Sequence, residues 1–274
     1  MKKYILALGL VLSFNVNASN DCGDDLNNNC WDCGKTEADN CTARLDGTKL
    51  TIISTNNGQM KDYDYYDEQR KAPWGNKATS ADIQGIKNIG AFAFKHASAL
   101  TEVNISDSVK TLGYASFDES GLKSITLHDK LEVIGDYAFS SRSMSAQEII
   151  IPDTVTTIGS YVFQSNKGLK SIIIGDNVTS IGRGAFDFVD NEMVIYCEDN
   201  EIRLCKSLIS QNNSEDLLRL KACTTKKING VKYIYDANGE LLARSGQRTE
   251  KRIYTIDEAN AVAGKTNSVK ITYR

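Results

Sequence analysis

Hydrophobic and polar residues repeat with a period of about 23 positions between residues 86 and 186. Each unit contains an aliphatic residue, a glycine directly after it and a phenylalanine four positions beyond the glycine. The five units are Ile89-Gly90…Phe94, Leu112-Gly113…Phe117, Ile134-Gly135…Phe139, Ile158-Gly159…Phe163 and Ile181-Gly182…Phe186. Successive glycines are 23, 22, 24 and 23 residues apart. A period of this length is typical of a solenoid, in which each unit forms one coil and stacks on its neighbours.

A short strand is predicted ahead of each glycine from the second unit onward. Aliphatic residues alternate there, at Val103 and Ile105, Ile125 and Leu127, Ile149 and Ile151, and Ile172 and Ile174. Because successive side chains of a strand point to opposite faces, these residues are predicted to face the core. The neighbours predicted to point outward are Glu102, Asn104, Ser124, Thr126, Glu148, Ile150, Ser171 and Ile173.

Two further positions recur along the repeats, a glycine in all five units and an aspartate in four of them. The repeat glycines are predicted to supply a tight turn, since glycine reaches positive φ without steric cost. Aspartates follow each strand, where a side-chain acceptor satisfies backbone donors in a turn, which indicates turn geometry rather than catalysis. These aspartates are Asp107, Asp129, Asp153 and Asp176.

An N-terminal β cap is predicted over residues 41–85. Two alternating runs flank Asp46-Gly47, a dipeptide typical of hairpin turns, and a hairpin there would cover the open edge of the first coil. Four aromatic residues follow, and we favour packing of the cap onto the first coil over a platform for sugar or peptide. They are Tyr63, Tyr65, Tyr66 and Trp74.

The chain after the repeats changes pattern twice. Met193–Tyr196 is predicted to be a last strand, so the repeat domain spans residues 86–197. Residues 198–225 have apolar positions at helical spacing over 202–209 and 217–220, which predicts a helical connector. Residues 226–274 predict a small domain with a hairpin around 236–239, a short helix from Thr255 and a final strand over 269–273.

The repeat phrases resemble those of BspA-type bacterial surface leucine-rich repeats. The resemblance lies in Val155-Thr156-Thr157-Ile158-Gly159-Ser160-Tyr161-Val162-Phe163 and Ile151-Pro152-Asp153, and in cap segments 45–52, 60–63 and 72–74. It covers residues 41–196. It implies an α/β repeat solenoid, mainly β: a right-handed stack of about five repeats with an N-terminal β cap and a small C-terminal α+β domain. It also implies a secreted or surface protein without a catalytic site, in a family that includes adhesins for host matrix or other bacteria.

The first eighteen residues are predicted to be a secretory signal. Lys2 and Lys3 precede an apolar run over 4–14, and Val16-Asn17-Ala18 has small residues where signal peptidase cleaves. A membrane anchor is the alternative, but the run is well short of the ~20 apolar residues that span a bilayer. The expected location is therefore secreted, periplasmic or at the cell surface, with no membrane span.

Seven cysteines fall in two clusters, Cys22, Cys30, Cys33 and Cys41, then Cys197, Cys205 and Cys223. In an exported chain we favour disulfides over zinc, although Cys30-x-x-Cys33 has the spacing of half a zinc knuckle. The pairing is not determined by the sequence, and the odd total leaves one thiol over, in the second cluster if the first pairs internally. Residues 19–40 are predicted to be an acidic, cysteine-rich linker.

Charge and motifs argue against several functions. The formal net charge is −3, and loss of Lys2 and Lys3 with the signal makes it −5, which argues against nucleic acid as a partner. His96 and His128 lie in no nucleophile or zinc motif, and His128 is predicted to be a surface side chain. Asp236-x-Asn238-x-Glu240 is better explained as a turn than as a calcium site. No cofactor and no catalytic residue is expected.

Two functions follow as hypotheses. The first is an adhesin-like binding module that recognises a protein or glycan, possibly of host matrix, through the outward positions of the repeat face. Its candidate ligand-binding residues are Glu102, Asn104, Thr126, Glu148, Ile150 and Ile173. Ile150 and Ile173 either form an exposed apolar patch or are covered by the C-terminal segment, and both options stay open. The second hypothesis is a structural spacer or envelope-assembly component attached through its C-terminal domain.

Overall fold

The computed structural model describes residues 29–142, 144, 148–198, 219–228 and 231–246. Several sequence-based predictions therefore lie outside the described residues. These are the signal segment, Cys22 and Cys205, the helix over 202–209, the helix from Thr255 and the strand over 269–273.

Short strands dominate this part of the chain. In chain order they are β1 (Cys30–Asp32), β2 (Cys41–Asp46), β3 (Lys49–Ser54), β4 (Ser80–Gln84), β5 (Asn88–Ile89), β6 (Glu102–Ile105), β7 (Thr111–Leu112), β8 (Val133–Ile134), β9 (Glu148–Ile150), β10 (Thr157–Ile158), β11 (Ser171–Ile173), β12 (Ser180–Ile181), β13 (Val194–Glu198), β14 (Arg219–Ile228), β15 (Val231–Asp236) and β16 (Leu241–Gly246). Single 3-10 turns occupy Glu37–Asp39 and Gly75–Lys77. The predicted solenoid of mainly β structure is confirmed.

The first sheet builds the N-terminal cap and continues into the coils. Its strand order is β1-β2-β3-β4-β6, with an antiparallel β2–β3 hairpin followed by parallel pairs. The predicted hairpin is confirmed, and Gly47 has a φ of 57° in its turn. The sheet begins earlier than the expected boundary at residue 41, because β1 pairs with β2 from Cys30↔Arg44 to Asp32↔Thr42.

The second sheet consists of the two-residue strands that end at each aliphatic residue before a repeat glycine. Its order is β12-β10-β8-β7-β5, and the pairs are parallel. The aliphatic residues are buried in the core: Ile89, Leu112, Ile134, Ile158 and Ile181. This sheet runs through all five coils without interruption.

The third sheet joins the last coils to the C-terminal segment, in the order β16-β15-β14-β13-β11-β9. The strand predicted at Met193–Tyr196 is confirmed as β13. The helix predicted over 217–220 is wrong from Arg219 onward, because Arg219–Ile228 is strand β14. β14 pairs in parallel with β13, so pairing at an open sheet edge overrides the local helical spacing of apolar residues.

The ladder of longer strands is interrupted at the third coil. Ile125 is buried and Ser124 and Thr126 are exposed, as the alternation predicts. The segment nevertheless forms no strand, so β6 ends the first sheet and β9 begins the third. Alternation of side chains thus correctly predicts which way residues face, but it does not determine backbone pairing.

A column of stacked phenylalanines forms the centre of the core. Phe94, Phe117, Phe139, Phe163 and Phe186 follow one another at ring-centroid distances of 5.0, 5.7, 5.9 and 5.9 Å. The buried ring of Trp74 lies 5.9 Å from Phe94, and its indole N–H donates to the Ala93 carbonyl at 2.8 Å. Tyr63 is also buried and packs 5.2 Å from Trp74, so cap packing is confirmed for these two residues.

The repeat glycines are required for a different reason from the one predicted. Positive φ occurs not at these glycines but two positions later, at Phe92, Ala115, Tyr137, Tyr161 and Gly184, with values of 48–62°. A Cβ on Gly113 would lie 2.6 Å from the Ile89 carbonyl oxygen, and one on Gly159 would lie 2.5 Å from the Asp136 nitrogen. Glycine is therefore needed because the backbones of adjacent coils approach each other here.

Backbone hydrogen bonds between coils accompany this close approach. The amides of Phe92 and Phe94 donate to the carbonyls of Tyr114 and Ser116, at 2.9 and 2.7 Å. The same alternate pattern joins each later coil to the next, as in Phe139 to Val162 and Phe163 to Ala185. The residues with positive φ direct alternate amides toward the neighbouring coil. The segment that was predicted to be a simple turn therefore forms a ladder of hydrogen bonds.

The disulfide interpretation is confirmed for the described cysteines of the first cluster, which are Cys30, Cys33 and Cys41. Cys33 and Cys41 form a disulfide, and Cys30 and Cys197 are disulfide-bonded as well. Cys223 is buried. The bridge between Cys33 and Cys41 closes the segment that contains the 3-10 turn Glu37–Asp39 against the edge of the cap sheet.

Removal of one ring from the centre of the column should destabilise the whole stack. We expect Phe139→Ala to lower the free energy of unfolding by about 3–5 kcal/mol, since the ring is fully buried between two others. Urea denaturation followed by circular dichroism measures the loss. The exposed Thr126→Ala serves as the control and should change stability by less than about 0.5 kcal/mol. Equal effects of both changes would contradict a stacked core.

A second change separates close approach from turn geometry. We expect Gly159→Ala to destabilise by about 1–3 kcal/mol, because the added methyl group meets the backbone of the preceding coil. Gly47→Asn, at a positive φ with open space around the Cβ position, should be tolerated within about 1 kcal/mol. The reverse order of these two effects, in the same denaturation experiment, would refute the explanation.

Candidate functional site

The outward side chains of the longer strands form two rows along the solenoid, which we call the strand face. One row contains Ser80, Glu102, Ser124, Glu148 and Ser171, and the other contains Asp82, Asn104, Thr126, Ile150, Ile173 and Tyr196. The strand pairs Asp82↔Asn104, Ile173↔Ile150 and Ile173↔Tyr196 establish the second row. Parallel register places one side chain of each row on the coils that have a longer strand, and Ser124 and Thr126 take the matching positions of the third coil.

The N-terminal half of the strand face is polar and open to solvent. Asp82 accepts hydrogen bonds from the Asn104 amide at 2.8 Å and from the Gln84 amide at 2.9 Å. Glu102, Asn104 and Thr126 are exposed. Their outward orientation is as predicted, and together they offer carboxylate, amide and hydroxyl groups on fixed backbone.

The C-terminal half of the strand face is apolar and covered. Ile173 is only 2% exposed and Ile150 is half-buried. They pack in a small second core with Val194 and Tyr196 of β13 and with three residues of the C-terminal strands: Cys223, Ile234 and Leu242. The exposed apolar patch is therefore wrong at Ile173, which is buried in a cluster with residues of the C-terminal strands.

Burial changes the acidity of groups at the border between the two halves. Burial raises the pKa of the Glu148 carboxyl, and a hydrogen bond at 3.2 Å from the Ser171 hydroxyl opposes this rise only in part. The pKa of Tyr196 is also raised, first by burial and then by the negative charges of Asp236 and Glu148. The border thus contains a carboxyl group that has lost part of its hydration.

The predicted C-terminal hairpin is confirmed as β15 and β16, which extend the third sheet beyond β14. At its turn, Asp236 Oδ1 accepts from the amides of Asn238 and Glu240 at 2.9 and 2.8 Å, and Gly239 has a φ of 79°. These contacts confirm the interpretation of Asp236-x-Asn238-x-Glu240 as a turn. Within the described residues no group of three or more His, Cys, Asp or Glu is arranged to hold a metal ion.

A second surface was not anticipated from the sequence. Aromatic rings follow one another along the turn side of the coils, at centroid distances of 5.1, 5.7 and 4.9 Å. We call this row the tyrosine ladder: Phe92, Tyr114, Tyr137 and Tyr161. An aromatic residue one or two positions after four of the five repeat glycines was the signal that would have predicted it.

The rings of the tyrosine ladder contact one another. Tyr137 and Tyr161 stack with an interplanar angle of 24°, and Tyr114 meets Tyr137 edge to face. Burial, together with neighbouring tyrosines and the carboxylates of Asp118 and Asp136, raises the pKa of Tyr137. The ladder therefore joins adjacent coils, in parallel with the buried phenylalanine column.

The two histidines lie in structural surroundings. The ring of His96 lies 4.5 Å from that of Tyr65 at an interplanar angle of 35°, and the adjacent Lys95 forms an ion pair with Asp118. His128 Nδ1 lies 3.7 Å from Asp107 Oδ1, and its side chain is only 11% exposed, so its prediction as a surface side chain is wrong.

Across the part of the chain that is described, no helix has the length and hydropathy needed to cross a membrane.

Comparisons with known proteins agree with the repeat architecture. Residues 77–212 match six copies of the family model described as "BspA type Leucine rich repeat region". The comparison with curated proteins gives no match.

Solved structures of bacterial leucine-rich-repeat proteins align with the chain at low identity. A leucine-rich repeat protein from Eubacterium ventriosum aligns with a TM-score of 0.45 and 16% identity, over 70% of this chain and 72% of that chain. A leucine rich cell surface protein from Faecalibacterium prausnitzii gives 0.41 and 19%, over 77% and 60%. A leucine rich repeat protein from T. pallidum gives 0.40 and 21%, over 56% and 67%.

Loss of one ring of the tyrosine ladder should destabilise the stack moderately. We expect Tyr137→Ala to lower the free energy of unfolding by about 1–2 kcal/mol, because two ring contacts and part of the buried area are lost. Tyr66→Ala, at a ring that is 81% exposed, is the control and should change stability by less than about 0.5 kcal/mol. A neutral Tyr137→Ala in thermal or urea unfolding would show that the ladder is not a stabilising contact.

Proposed function

Residues 77–212 of this chain are a leucine rich repeat region of the BspA type, and on that premise we propose that the protein is a secreted or cell-surface binding module, adhesin-like in its action. It recognises a protein partner through the polar half of the strand face. The repeats act as a rigid support, and the recognition groups are the exposed side chains between the core positions.

The observation that supports this proposal most directly is the exposure of Glu102 and Asn104 on strand β6 and of Thr126 at the matching position of the next coil. Side chains on adjacent strands of a stacked core keep fixed separations, so little conformational entropy is lost when a partner binds. Asp82 orients the Asn104 amide through a hydrogen bond at 2.8 Å. The polar half is thus arranged before any partner arrives.

A protein partner is favoured over a glycan by the chemistry of this surface. Sugar rings commonly stack on the open face of an aromatic side chain, and the outward residues of the polar half are acidic, amide or hydroxyl groups. The aromatic rings of the tyrosine ladder lie on the turn side and contact one another. Hydrogen-bonding groups of a partner backbone and side chains fit the polar half better.

Location outside the cytoplasm is supported by two features. The first eighteen residues have the pattern of a secretory signal. Disulfides at Cys30, Cys33, Cys41 and Cys197 are typical of oxidising compartments. The proposed location is therefore the periplasm, the cell surface or the medium.

The experiment is a capture assay on a panel of matrix proteins, bacterial surface proteins and glycans. We expect the double change Asn104→Arg with Thr126→Arg to weaken capture of the cognate partner at least about tenfold, because two bulky charges are added in the middle of the contact surface. The melting temperature should stay unchanged, since both positions are exposed.

The matched control places a charge change on the turn side. Arg183→Glu alters an exposed residue away from the strand face and should leave capture unchanged. If capture survives the double change at the strand face, this surface is not the binding site. If no member of the panel is captured by the unmodified protein, the structural hypothesis, a spacer or an envelope-assembly component, is favoured instead.

A further inference from the structure

Exposed large hydrophobic side chains of the described residues are concentrated on the turn side of the coils and in the cap segment beside it. Tyr66 is 81% exposed, Phe188 67% and Tyr114 46%. Ile53, at 38%, lies elsewhere, on strand β3 of the cap. Exposed apolar surface that clusters in this way often marks a binding site.

Ring contacts connect the exposed aromatic residue of the cap with the tyrosine ladder. Tyr66 meets Tyr65 at 5.5 Å, and Tyr65 lies 4.5 Å from His96 of the first coil. Phe92, the first ring of the tyrosine ladder, belongs to the same coil as His96. We call the whole set the aromatic row, which runs from the cap to the fifth coil: Tyr66, Tyr65, His96, Phe92, Tyr114, Tyr137, Tyr161 and Phe188.

The turns themselves do not require aromatic residues. Phe92, Tyr137 and Tyr161 have φ values of 56°, 58° and 57°, in a region that bulky residues seldom adopt. Ala115 and Gly184 occupy the same position in the second and fifth coils, so the turn also forms with a small residue there. Backbone strain of this kind clusters at functional sites, which indicates that the rings serve more than the turn.

Tyr114 is held in a fixed orientation although almost half of its side chain is open to solvent. Its ring meets Phe92 at 5.1 Å with an interplanar angle of 72°, and Tyr137 at 5.7 Å with an angle of 60°. Both contacts are edge to face. A ring that is oriented before a ligand arrives loses little conformational entropy when the ligand binds.

Polar groups flank the aromatic row on successive coils. Asp136, directly before Tyr137, is exposed, and its Oδ1 accepts from the Ser160 amide at 2.7 Å, which fixes the carboxylate beside the rings. The exposed or half-buried flanking side chains are carboxylates, hydroxyls, an amide and a guanidinium: Glu119, Asp136, Ser160, Gln164, Ser165, Arg183 and Asp187. This mixture matches a sugar, because the C–H face of a sugar ring stacks on an aromatic ring while its hydroxyls donate and accept hydrogen bonds.

Other classes of partner fit this surface less well. An apolar protein segment or an acyl chain would bury the flanking carboxylates and the guanidinium without enough hydrogen-bonding partners, which costs free energy. A polyanion would meet Glu119, Asp136 and Asp187 against the single cation of Arg183 among the flanking side chains. The surface therefore favours an uncharged ligand that has both apolar faces and hydroxyl groups.

We propose that the aromatic row is a second binding surface, separate from the strand face, which binds a neutral, extended glycan with its sugar rings along successive coils. From the first coil to the fifth, each coil contributes one ring: Phe92, Tyr114, Tyr137, Tyr161 and Phe188. Four steps at the spacing of parallel strands give a length of roughly 20 Å, which accommodates several pyranose units. The affinity for the glycan should therefore increase with the number of sugar units until the row is filled.

Native electrophoresis of the full chain in gels that contain a soluble polysaccharide tests the proposal. The neutral probes are hydroxyethylcellulose, xylan, galactomannan and dextran, and the anionic probe is polygalacturonate. We expect at least one neutral polysaccharide to retard the protein, and polygalacturonate to leave its mobility unchanged. The proposal is overturned if no neutral polysaccharide retards the protein, or if only polygalacturonate does.

Substitutions locate the glycan on the aromatic row. Tyr114→Ala with Phe188→Ala should raise the apparent dissociation constant from the gels at least about tenfold, because two exposed rings are lost. Phe188→Ala alone should weaken retardation several-fold at an unchanged melting temperature, since the ring is 67% exposed. Tyr114→Phe keeps the ring and should retain retardation. The matched control is Ile53→Ala, an exposed apolar residue outside the row, which should leave retardation unchanged.

Two results would contradict this location of the glycan. The first is full retardation of the double variant, and the second is an equal loss of retardation in Ile53→Ala. The strand-face change Asn104→Arg with Thr126→Arg separates the two surfaces, because it should weaken capture of a protein partner and leave retardation by the polysaccharide unchanged. Loss of retardation in that variant would place the glycan on the strand face and overturn the second surface. A failure of protein capture alone would contradict only the proposed function of the strand face.

Discussion

The close approach of neighbouring backbones at the repeat glycines is the constraint on which the rest of the structure depends. A Cβ at these positions would lie within 1.9–2.6 Å of a backbone atom of the preceding turn of chain, so no other residue type fits without displacement. Once the backbones meet, the amides that follow donate to the next coil. The phenylalanine rings then fall into register at 5.0–5.9 Å, and the core follows from that register.

This constraint also explains why recognition is separated from the core. Every core position and every close approach is fixed by stacking, so variation is tolerated at the outward positions of the longer strands. Those positions carry Asp82, Asn104 and Thr126 on the open coils and Ile150 and Ile173 on the covered ones. One backbone arrangement therefore supports two surfaces of opposite polarity on the same face.

Much of the fold could be predicted from the sequence, because a repeated pattern reports the same local environment five times. Periodicity identified the solenoid, the cap hairpin and the buried phenylalanines. The predicted role of the repeat glycines was wrong. A glycine required for a positive φ and a glycine required because a neighbouring backbone lies close to it look the same in the sequence. Burial of Ile173 was one of two open possibilities, because alternation along a strand does not reveal whether a distant segment covers its outer side. Strand β14 was missed because its pairing depends on an open edge contributed by β13, which lies outside any local window.

The interruption of the longer strands at the third coil has a mechanical consequence. Tension along a stack of coils is resisted by the hydrogen bonds and ring contacts between them. The first and third sheets both end at this coil. Contacts across it include the short β7–β8 and β8–β10 pairs, the ladder of backbone amides, and the ring contacts of Phe117 with Phe139 and of Phe139 with Phe163. The third coil is therefore joined to its neighbours without the longer-strand pairs that connect the coils on either side of it.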